Sequence, residues 1–351
     1  MTTVHGGLDA TELRAFGLRP GDVLDFSSNL NPLGTAEAVR RAAASADLAA
    51  YPDRNSTILR DALTARLGVG ADHLLVGNGS TELIHLLAHA ILRPGDRCLL
   101  FAPTFGEYEA AALLAGADVH SIRAHARDAF RWPIDSALDS IQALRPDLTF
   151  LCNPNNPTGA YLDRETVERI RQAIGRDGLL VLDDAYATFL DQPWRTTPLI
   201  DSGNVAILRS MTKDHALAGA RLGYLVASPD VCAAGRALQP AWSVNAIAQA
   251  AGVAALDNDA HVAAARDVVR DAKAYLCARL TAMGLSVTPS TANFLLVEVG
   301  DGARLRADLL RLGFAVRDCT SFGLPAHIRI AVRRRDECAR LVDALQKVPG
   351  R

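Results

Sequence analysis

The sequence predicts an α/β protein with a large domain built on a mostly parallel sheet and a small α+β domain attached to it. From residue 74 to residue 227, short apolar runs alternate with amphipathic segments, as in LTFLC followed by ETVERIRQAI. Strand and helix signals in alternation are typical of βαβ units. Towards the C-terminus the order becomes strand, helix, strand, strand, helix, with NFLLVEV, FAVRDC and HIRIAV as strands. The first pattern predicts the parallel sheet, and the second predicts the small domain.

The segments outside the alternating block predict how the domains are joined. Residues 1–35 are rich in Gly, Asn, Ser and Pro, which predicts an irregular arm that packs over another part of the protein. A simple disordered tail is the alternative. Helices are expected at residues 36–50, 58–67, 245–256 and 261–283, and the last is long enough to bridge two lobes.

We therefore expect three segments along the chain. Residues 1–50 form the arm and part of the small domain, residues 51–250 form the large domain, and residues 251–351 form an interdomain helix and the rest of the small domain. At 351 residues the chain is long enough to bury a large core.

Composition and charge narrow the class of protein. Apolar residues make up 49% and charged residues 22%, which is an ordinary globular composition. A formal net charge of −2 gives no reason to expect a nucleic acid or an anionic membrane as a partner. The six cysteines are scattered without a C-x-x-C pair, which argues against a zinc site or disulfide framework. With no signal peptide and no membrane-spanning apolar stretch visible, we expect a soluble cytoplasmic protein that holds no metal.

A glycine-rich turn between a predicted strand and a helix is the first candidate binding element. It reads Gly77-Asn78-Gly79-Ser80-Thr81-Glu82. Glycines allow close approach of an anion, which backbone amides and the helix dipole then bind. The dinucleotide fingerprint would need a third glycine where Glu82 stands, so an NAD site is disfavoured. A plain helix N-cap by Ser80 stays as the alternative.

Two further polar motifs follow predicted strands. NPNNPTG, at residues 153–159, comes directly after LTFLC, and DDAY, at residues 183–186, closes GLLVL. Prolines fix the first turn, and its asparagines offer amide donors at the edge where open α/β sheets place ligands. A tight loop is the alternative for the first motif, and helix capping by an acid is the alternative for the second.

A lysine flanked by hydroxyl groups follows the strand VAILRS. The segment reads Ser210-Met211-Thr212-Lys213, and Arg221 comes eight positions after the lysine. A lysine that reacts with an aldehyde must be partly deprotonated, which burial beside other cations achieves. Arg221 would supply such a cation and could also clamp a phosphate in a bidentate grip. A surface charge is the alternative for Lys213.

Taken together, these motifs match the needs of pyridoxal 5'-phosphate (PLP). That cofactor requires a lysine for a Schiff base, a carboxylate against the pyridine nitrogen, donors to the ring oxygen and a phosphate cradle. Each motif lies at the carboxyl end of a predicted strand, where they would meet. We therefore predict a PLP site.

The motifs NPNNPTG, DDAY and TKDHALAGARLGY, in combination, resemble the class I/II aminotransferase family, fold type I of PLP enzymes. Within the family the chain is similar to the branch of histidinol-phosphate aminotransferases and threonine-phosphate decarboxylases. The resemblance covers nearly the whole chain. It implies a mostly parallel seven-stranded sheet flanked by helices, together with the small α+β domain.

The resemblance also implies a role for individual residues. Lys213 is the Schiff-base lysine and the general base that takes the proton from the substrate α-carbon, and Asp183 faces the pyridine nitrogen. Asn156 and Tyr186 face the ring oxygen, while Phe105 stacks on the ring. The residues implied around the phosphate are Ser80, Thr81, Ser210, Thr212 and Arg221.

The partner subunit and the substrate are implied by other positions. Tyr51 resembles the tyrosine that reaches the neighbouring subunit's cofactor phosphate, which implies a homodimer. Arg329 matches the arginine that binds the substrate carboxylate. His5, Asn29 and Arg317 are candidates for holding a substrate carboxylate or distal phosphate, with a tail residue, a turn residue and a surface ion pair as their respective alternatives.

Two departures from the branch concern the lysine. Ser-Lys is frequent there, whereas this chain has Thr212-Lys213, which keeps the hydroxyl. Asp214 follows directly and places an acid close to the reacting amine.

The expected activity is transamination between an amino compound and a 2-oxo acid, because this is the commoner chemistry of the family. The alternative is decarboxylation of the threonine-phosphate type, since HGG, DFSSNLNPLG and VRDCTSFGLPAHIRIAVR are similar to that branch. A non-catalytic regulator with the same fold is a third possibility. It would usually carry an added DNA-binding segment, and we expect none before the first motif.

Overall fold

The computed structural model describes residues 6–348. In chain order its strands are β1 (Leu24–Asp25), β2 (Leu74–Asn78), β3 (Arg97–Ala102), β4 (Asp118–Arg123), β5 (Leu148–Cys152), β6 (Leu179–Asp183), β7 (Val205–Ser210), β8 (Leu222–Val226), β9 (Ser286–Val287), β10 (Phe294–Glu298), β11 (Phe314–Ala315), β12 (Arg317–Asp318) and β13 (His327–Ala331). Its α-helices are α1 (Ala10–Ala15), α2 (Glu37–Ala44), α3 (Thr57–Leu67), α4 (Gly79–Ile91), α5 (Glu107–Leu114), α6 (Ile134–Leu144), α7 (Arg164–Ile174), α8 (Met211–Asp214), α9 (Pro229–Leu238), α10 (Ala246–Leu256), α11 (Asp259–Ala282), α12 (Gly302–Arg311) and α13 (Arg335–Lys347).

Seven strands form the large sheet, in the order β2-β8-β7-β6-β5-β3-β4. Only β8 among them runs antiparallel to its neighbours β2 and β7. Strands β5, β6 and β8 are buried along their whole length, because apolar clusters cover both faces of the sheet. Continuous apolar runs such as LLVL suit a sheet buried on both sides. The predicted mostly parallel seven-stranded sheet is confirmed.

The C-terminal part forms an antiparallel sheet of four strands, in the order β12-β13-β10-β9. The N-terminal segment joins this part, since β1 pairs in parallel with β11. Phe26, which follows β1, is buried in the same apolar cluster as residues from α11, α12 and α13. The small domain thus includes N-terminal residues, and the boundaries at residues 50 and 250 stay a prediction.

The structure corrects three local predictions. The arm is not wholly irregular, because Asp9 caps the short helix α1 by accepting a hydrogen bond from Glu12 N at 2.7 Å. The helix expected at residues 36–50 ends at Ala44, and beyond it the Asp47 carboxylate accepts from Ala49 N at 2.8 Å in a turn. FAVRDC is two strands, because β11 pairs with β1 whereas β12 pairs with β13.

Within residues 6–348, none of the helices combines the length and the apolar character that crossing a membrane would require.

Candidate active site

One cavity of about 530 Å³ lies where strands of the large sheet end and the small sheet faces them. The ends of β5, β6 and β7 line it through Cys152, Asp183 and Ser210. The predicted site residues that line this cavity are Asn29, Ser80, Thr81, Phe105, Asn156, Asp183, Tyr186, Ser210, Thr212, Lys213, Arg221, Arg317 and Arg329. Carboxyl ends of parallel strands meet at one edge of a sheet, which explains why scattered motifs converge here.

Two predicted residues are not among those lining the cavity. Tyr51 is 81% exposed and stacks on Trp242, with ring centroids 4.7 Å apart. His5 lies outside the described residues.

The start of α4 and Arg221 together form a cationic corner of the cavity. Gly79 has φ +76°, and a Cβ there would lie 2.6 Å from Arg221 Nη2. Glycine is therefore needed for the guanidinium to approach the helix start. Glu82, which occupies the place of a third glycine, accepts a hydrogen bond from Asn78 N at 2.7 Å and so satisfies an amide at the start of the helix. Backbone N–H groups, the helix dipole and Arg221 make this corner suited to a phosphate.

Lys213 lies on the short helix α8, and its backbone is held from the N-terminal segment. Asn31 N donates to Lys213 O at 2.8 Å, and Asn31 Nδ2 donates to Asp214 O at 2.7 Å. The Lys213 amine lies 5.8 Å from the centroid of the Tyr186 ring. Burial, followed by the positive charge of Arg329, lowers the pKa of Lys213 to about 8. Lys213 is thus a partly buried amine inside the cavity, and the surface-charge alternative does not hold.

Asp183 is 4% exposed and is fixed by two donors. Ala185 N donates to Oδ1 at 3.0 Å, and Tyr108 Oη donates to Oδ2 at 2.6 Å. Burial raises the pKa of Asp183 to about 6, and the hydrogen bond from Tyr108 acts against that rise. The next residue, Asp184, instead accepts from Thr196 Oγ1 at 2.7 Å and from Arg209 Nη2 at 2.8 Å. Only the first acid of DDAY therefore lines the cavity.

Tyr186 and Asn156 are hydrogen-bonded to the candidate substrate-binding residues Asn29 and Arg329. Asn29 Nδ2 donates to Tyr186 Oη at 3.3 Å, and Arg329 Nη1 donates to Asn156 Oδ1. Burial raises the pKa of Tyr186 to about 12, so the phenol stays protonated at neutral pH and can donate a hydrogen bond. Asn29 Oδ1 and Arg329 Nε are buried without a hydrogen-bond partner. Buried polar atoms of this kind are costly unless a ligand or water satisfies them.

Two arginines face the cavity from adjacent strands of the small sheet. Arg317 on β12 and Arg329 on β13 are Cα partners, and both are nearly buried. Arg317 Nη2 donates to Ser321 Oγ at 2.6 Å, and Arg329 Nη2 donates to Ser27 O at 2.7 Å. Burial and then the neighbouring Arg329 charge lower the pKa of Arg317. Two cations this close favour a multiply charged anion between them.

Asp214 is not among the residues that line the cavity, and its carboxylate contacts His215. Its Oδ1 accepts from His215 N at 2.9 Å, and Oδ2 lies 3.8 Å from His215 Nε2. Burial raises the pKa of Asp214, while His215 and Arg209 act in the opposite direction. The acid next to the lysine is thus a local partner of His215.

The sequence pattern missed Tyr108 and Gly6 as cavity residues. Tyr108 lies one residue into α5, and its position three residues after Phe105 would have been the one available signal. Gly6 packs so closely on Ser27 O that a Cβ would lie 2.3 Å from it, which makes the N-terminal arm a wall of the site.

Comparisons with known proteins agree with this geometry. A sequence profile described as aminotransferase class I and II matches residues 21–345. The histidinol-phosphate aminotransferase of Symbiobacterium thermophilum is 39% identical over 342 residues, covering 96% of this chain and 93% of that protein. The histidinol-phosphate aminotransferase of Anaeromyxobacter sp. is 36% identical over 344 residues, covering 96% and 93%.

Solved structures show the same fold. Histidinol-phosphate aminotransferase from Sinorhizobium meliloti, in complex with pyridoxal-5'-phosphate, has a TM-score of 0.86 at 24% identity and covers 97% of this chain and 94% of that one. A double mutant of aspartate aminotransferase from Thermus thermophilus has a TM-score of 0.82 at 26% identity, with 95% and 93% covered.

The fold and the cavity therefore define a fold type I PLP enzyme. The chain belongs to the aminotransferase class I and II family and is a PLP-dependent transaminase. The predicted family, fold, cofactor and activity are confirmed.

Proposed function

We propose that this transaminase moves an amino group between a phosphorylated amine of the histidinol-phosphate type and a 2-oxo acid. The observation that carries the proposal is the pair of nearly buried arginines, Arg317 and Arg329, in the same cavity as Lys213. The names of two relatives support it, since the proteins from Symbiobacterium thermophilum and Anaeromyxobacter sp. are both called histidinol-phosphate aminotransferases.

The residues of the cavity fit PLP. The cationic corner formed by the start of α4 and Arg221 suits a phosphate, and Ser80, Thr81, Ser210 and Thr212 would add donors. Asp183 would bind the protonated pyridine nitrogen. Tyr186 and Asn156 would lie at the ring oxygen, and Phe105 against the ring. When bound, PLP supplies an aldehyde for the amine and a pyridinium ring that accepts electrons from the substrate α-carbon.

Lys213 is proposed to attach the cofactor and to move the proton. Its lowered pKa leaves a usable fraction of neutral amine at neutral pH, which can accept a proton from the substrate α-carbon. Asn31 holds the lysine backbone and so limits where Nζ can reach. Arg329 would bind the carboxylate of the 2-oxo acid, Arg317 the phosphate of the amine, and the unpartnered Asn29 Oδ1 an N–H or O–H of the ligand.

The lowered pKa of Lys213 predicts how fast the apoprotein captures PLP. Only the neutral amine reacts with an aldehyde, and a lysine with a pKa of about 8 is about a tenth neutral at about pH 7. Capture should therefore speed up about tenfold from about pH 7 to about pH 9, with a midpoint near about pH 8. Stopped-flow absorbance of apoprotein mixed with PLP measures this rate. A rate that keeps rising through about pH 10 would indicate an unperturbed lysine.

The substrate assignment can be tested with two reaction mixtures. Histidinol phosphate with 2-oxoglutarate should give glutamate, and an Arg317→Ala variant should raise the KM for histidinol phosphate by about tenfold or more. The same variant should barely change the KM for histidinol, which has no phosphate. The second mixture contains O-phosphothreonine alone. Release of carbon dioxide from it, without a keto product, would favour decarboxylation over the proposed reaction.

We also propose a homodimer with shared sites, in which Tyr51 reaches the partner's cofactor phosphate. The exposed ring of Tyr51, stacked on Trp242, supports a role in contact with another subunit. Mixing Lys213→Ala with Tyr51→Ala, at a PLP concentration too low to saturate the Tyr51→Ala homodimer, tests the sharing. A mixed dimer regains one intact site, so random reassociation should restore about a quarter of wild-type activity. Recovery of none, although mixed dimers are present, would contradict the sharing.

A cytoplasmic location is proposed on one further observation. All six cysteines are free thiols, as expected for a protein kept in a reducing compartment.

A further inference from the structure

Tyr108 lines the cavity next to Asp183, the residue proposed to bind the pyridine nitrogen. Its hydroxyl donates to Asp183 Oδ2 at 2.6 Å, and its side chain is fully buried. The distance is typical of a strong hydrogen bond from a hydroxyl to a carboxylate.

Aromatic packing fixes the direction of that hydroxyl. The Tyr108 ring stacks on Phe150 of β5 with centroids 4.8 Å apart and planes 9° from parallel. Phe105 packs edge-on against it at 5.6 Å. Because both contacts restrain the ring, the hydroxyl has little freedom to leave Asp183.

The carboxylate keeps acceptor capacity for a third group. An ionised carboxylate has about four acceptor positions, and Ala185 N and Tyr108 Oη account for one on each oxygen. The titratable groups that interact electrostatically with Asp183 are Tyr108 on α5, Cys152 on β5, Asp184 and Tyr186 after β6, and Lys213 on α8.

The hydrogen bond from Tyr108 matters because these groups have opposing effects on the ionisation of Asp183. Burial and the charge of Asp184 favour the neutral acid, whereas Tyr108, Ala185 N and the Lys213 charge favour the carboxylate. Removing the Tyr108 hydroxyl therefore raises the pKa of Asp183 above about 6, towards neutral pH.

We propose that Tyr108 is a positioning residue, whose hydroxyl holds Asp183 ionised and aimed at the pyridine nitrogen. The inference rests on the proposed role of Asp183 and adds a residue that acts through it. Tyr108 itself touches the carboxylate and need not touch the reacting atoms.

A Tyr108→Phe variant tests the inference, because it keeps the ring and its stacking. At about pH 6 the dissociation constant of PLP should rise by about tenfold to a hundredfold. This increase corresponds to the loss of one hydrogen bond to a charged group. The increase should shrink towards about pH 9, where the carboxylate is ionised in both proteins. Tyr224→Phe is the matched control, since Tyr224 is also buried but pairs with Arg209 on the other face of the sheet.

A double-mutant cycle separates the possible outcomes. In an Asp183→Asn background, Tyr108→Phe should change the PLP affinity by less than about twofold, because it acts through the acid. If Tyr108→Phe alone leaves the PLP affinity unchanged at every pH, the inference is overturned. The inference is also overturned if Tyr108→Phe lowers the PLP affinity equally in the wild-type and Asp183→Asn backgrounds. If Asp183→Asn leaves PLP affinity unchanged, the proposed role of Asp183 fails instead. Tyr108→Phe could instead disturb folding. A lowered unfolding temperature at all pH values, with no recovery of PLP affinity at high pH, would then count against the inference.

Discussion

Replacing Lys213 by alanine is expected to lower kcat for transamination by more than about a thousandfold and to abolish the visible absorption of the holoenzyme. The expected fall in kcat follows from the loss of the group proposed to move the proton, since general base catalysis alone accelerates a reaction about a hundredfold to ten-thousandfold. Loss of covalent cofactor attachment adds to it. Steady-state rates with saturating PLP and the absorption spectrum of the purified variant measure the two effects.

Lys273→Ala is the control for this result. Lys273 is also partly buried with a lowered pKa, but its amine donates to Ser290 O at 3.1 Å and Ala292 O at 3.0 Å away from the cavity. The variant should keep its colour and wild-type kcat. A coloured, active Lys213→Ala enzyme would show that another amine does the work.

Asp183→Asn is expected to lower kcat by about a hundredfold, which is the upper end of what one hydrogen bond between charged groups contributes. An amide has no negative charge to stabilise a protonated pyridine nitrogen, so the cofactor becomes a weaker electron acceptor. The amide is close in size to the carboxylate, so the geometry around Ala185 and Tyr108 should persist. Rates measured at saturating PLP separate this effect from weaker binding.

The neighbouring acid provides the contrast. Asp184 lies on the other side of the chain, paired with Arg209 and 2% exposed in its side chain. Asp184→Asn breaks a buried ion pair and should lower the unfolding temperature while the folded enzyme keeps its PLP. If Asp184→Asn lowered kcat as much as Asp183→Asn, the assignment of the two acids would be wrong.

Much of the fold and site could be predicted because the signals are local. The apolar run LLVL gave β6, and the motif DDAY placed Asp183 and Tyr186 at its end. Parallel strands then bring the motifs to one edge, so Asn156 and Lys213 could be placed together without further information. The resemblance added Arg329, which lies far away in sequence.

Other features depend on contacts between distant segments, which leave no local pattern. The hydrogen bond between Tyr108 and Asp183 joins residues 75 positions apart, and nothing in the local sequence around Tyr108 indicates it. The split of FAVRDC arises because β1, almost 300 residues earlier, pairs with β11 alone. The Asp214 carboxylate contacts His215 because of the local turn after α8. Its closeness to Lys213 in sequence does not indicate this contact.

The central claim, that Lys213 carries the cofactor, has a direct test because the chain contains only the lysines Lys213, Lys273 and Lys347. Holoenzyme is reduced with borohydride, digested with trypsin and mapped by mass spectrometry. Trypsin cuts after Arg209 and Arg221, and a modified Lys213 blocks the cut between them. We expect one peptide spanning residues 210–221 that carries the reduced cofactor. An adduct on Lys273 or Lys347, with an unmodified peptide ending at Lys213, would contradict the claim.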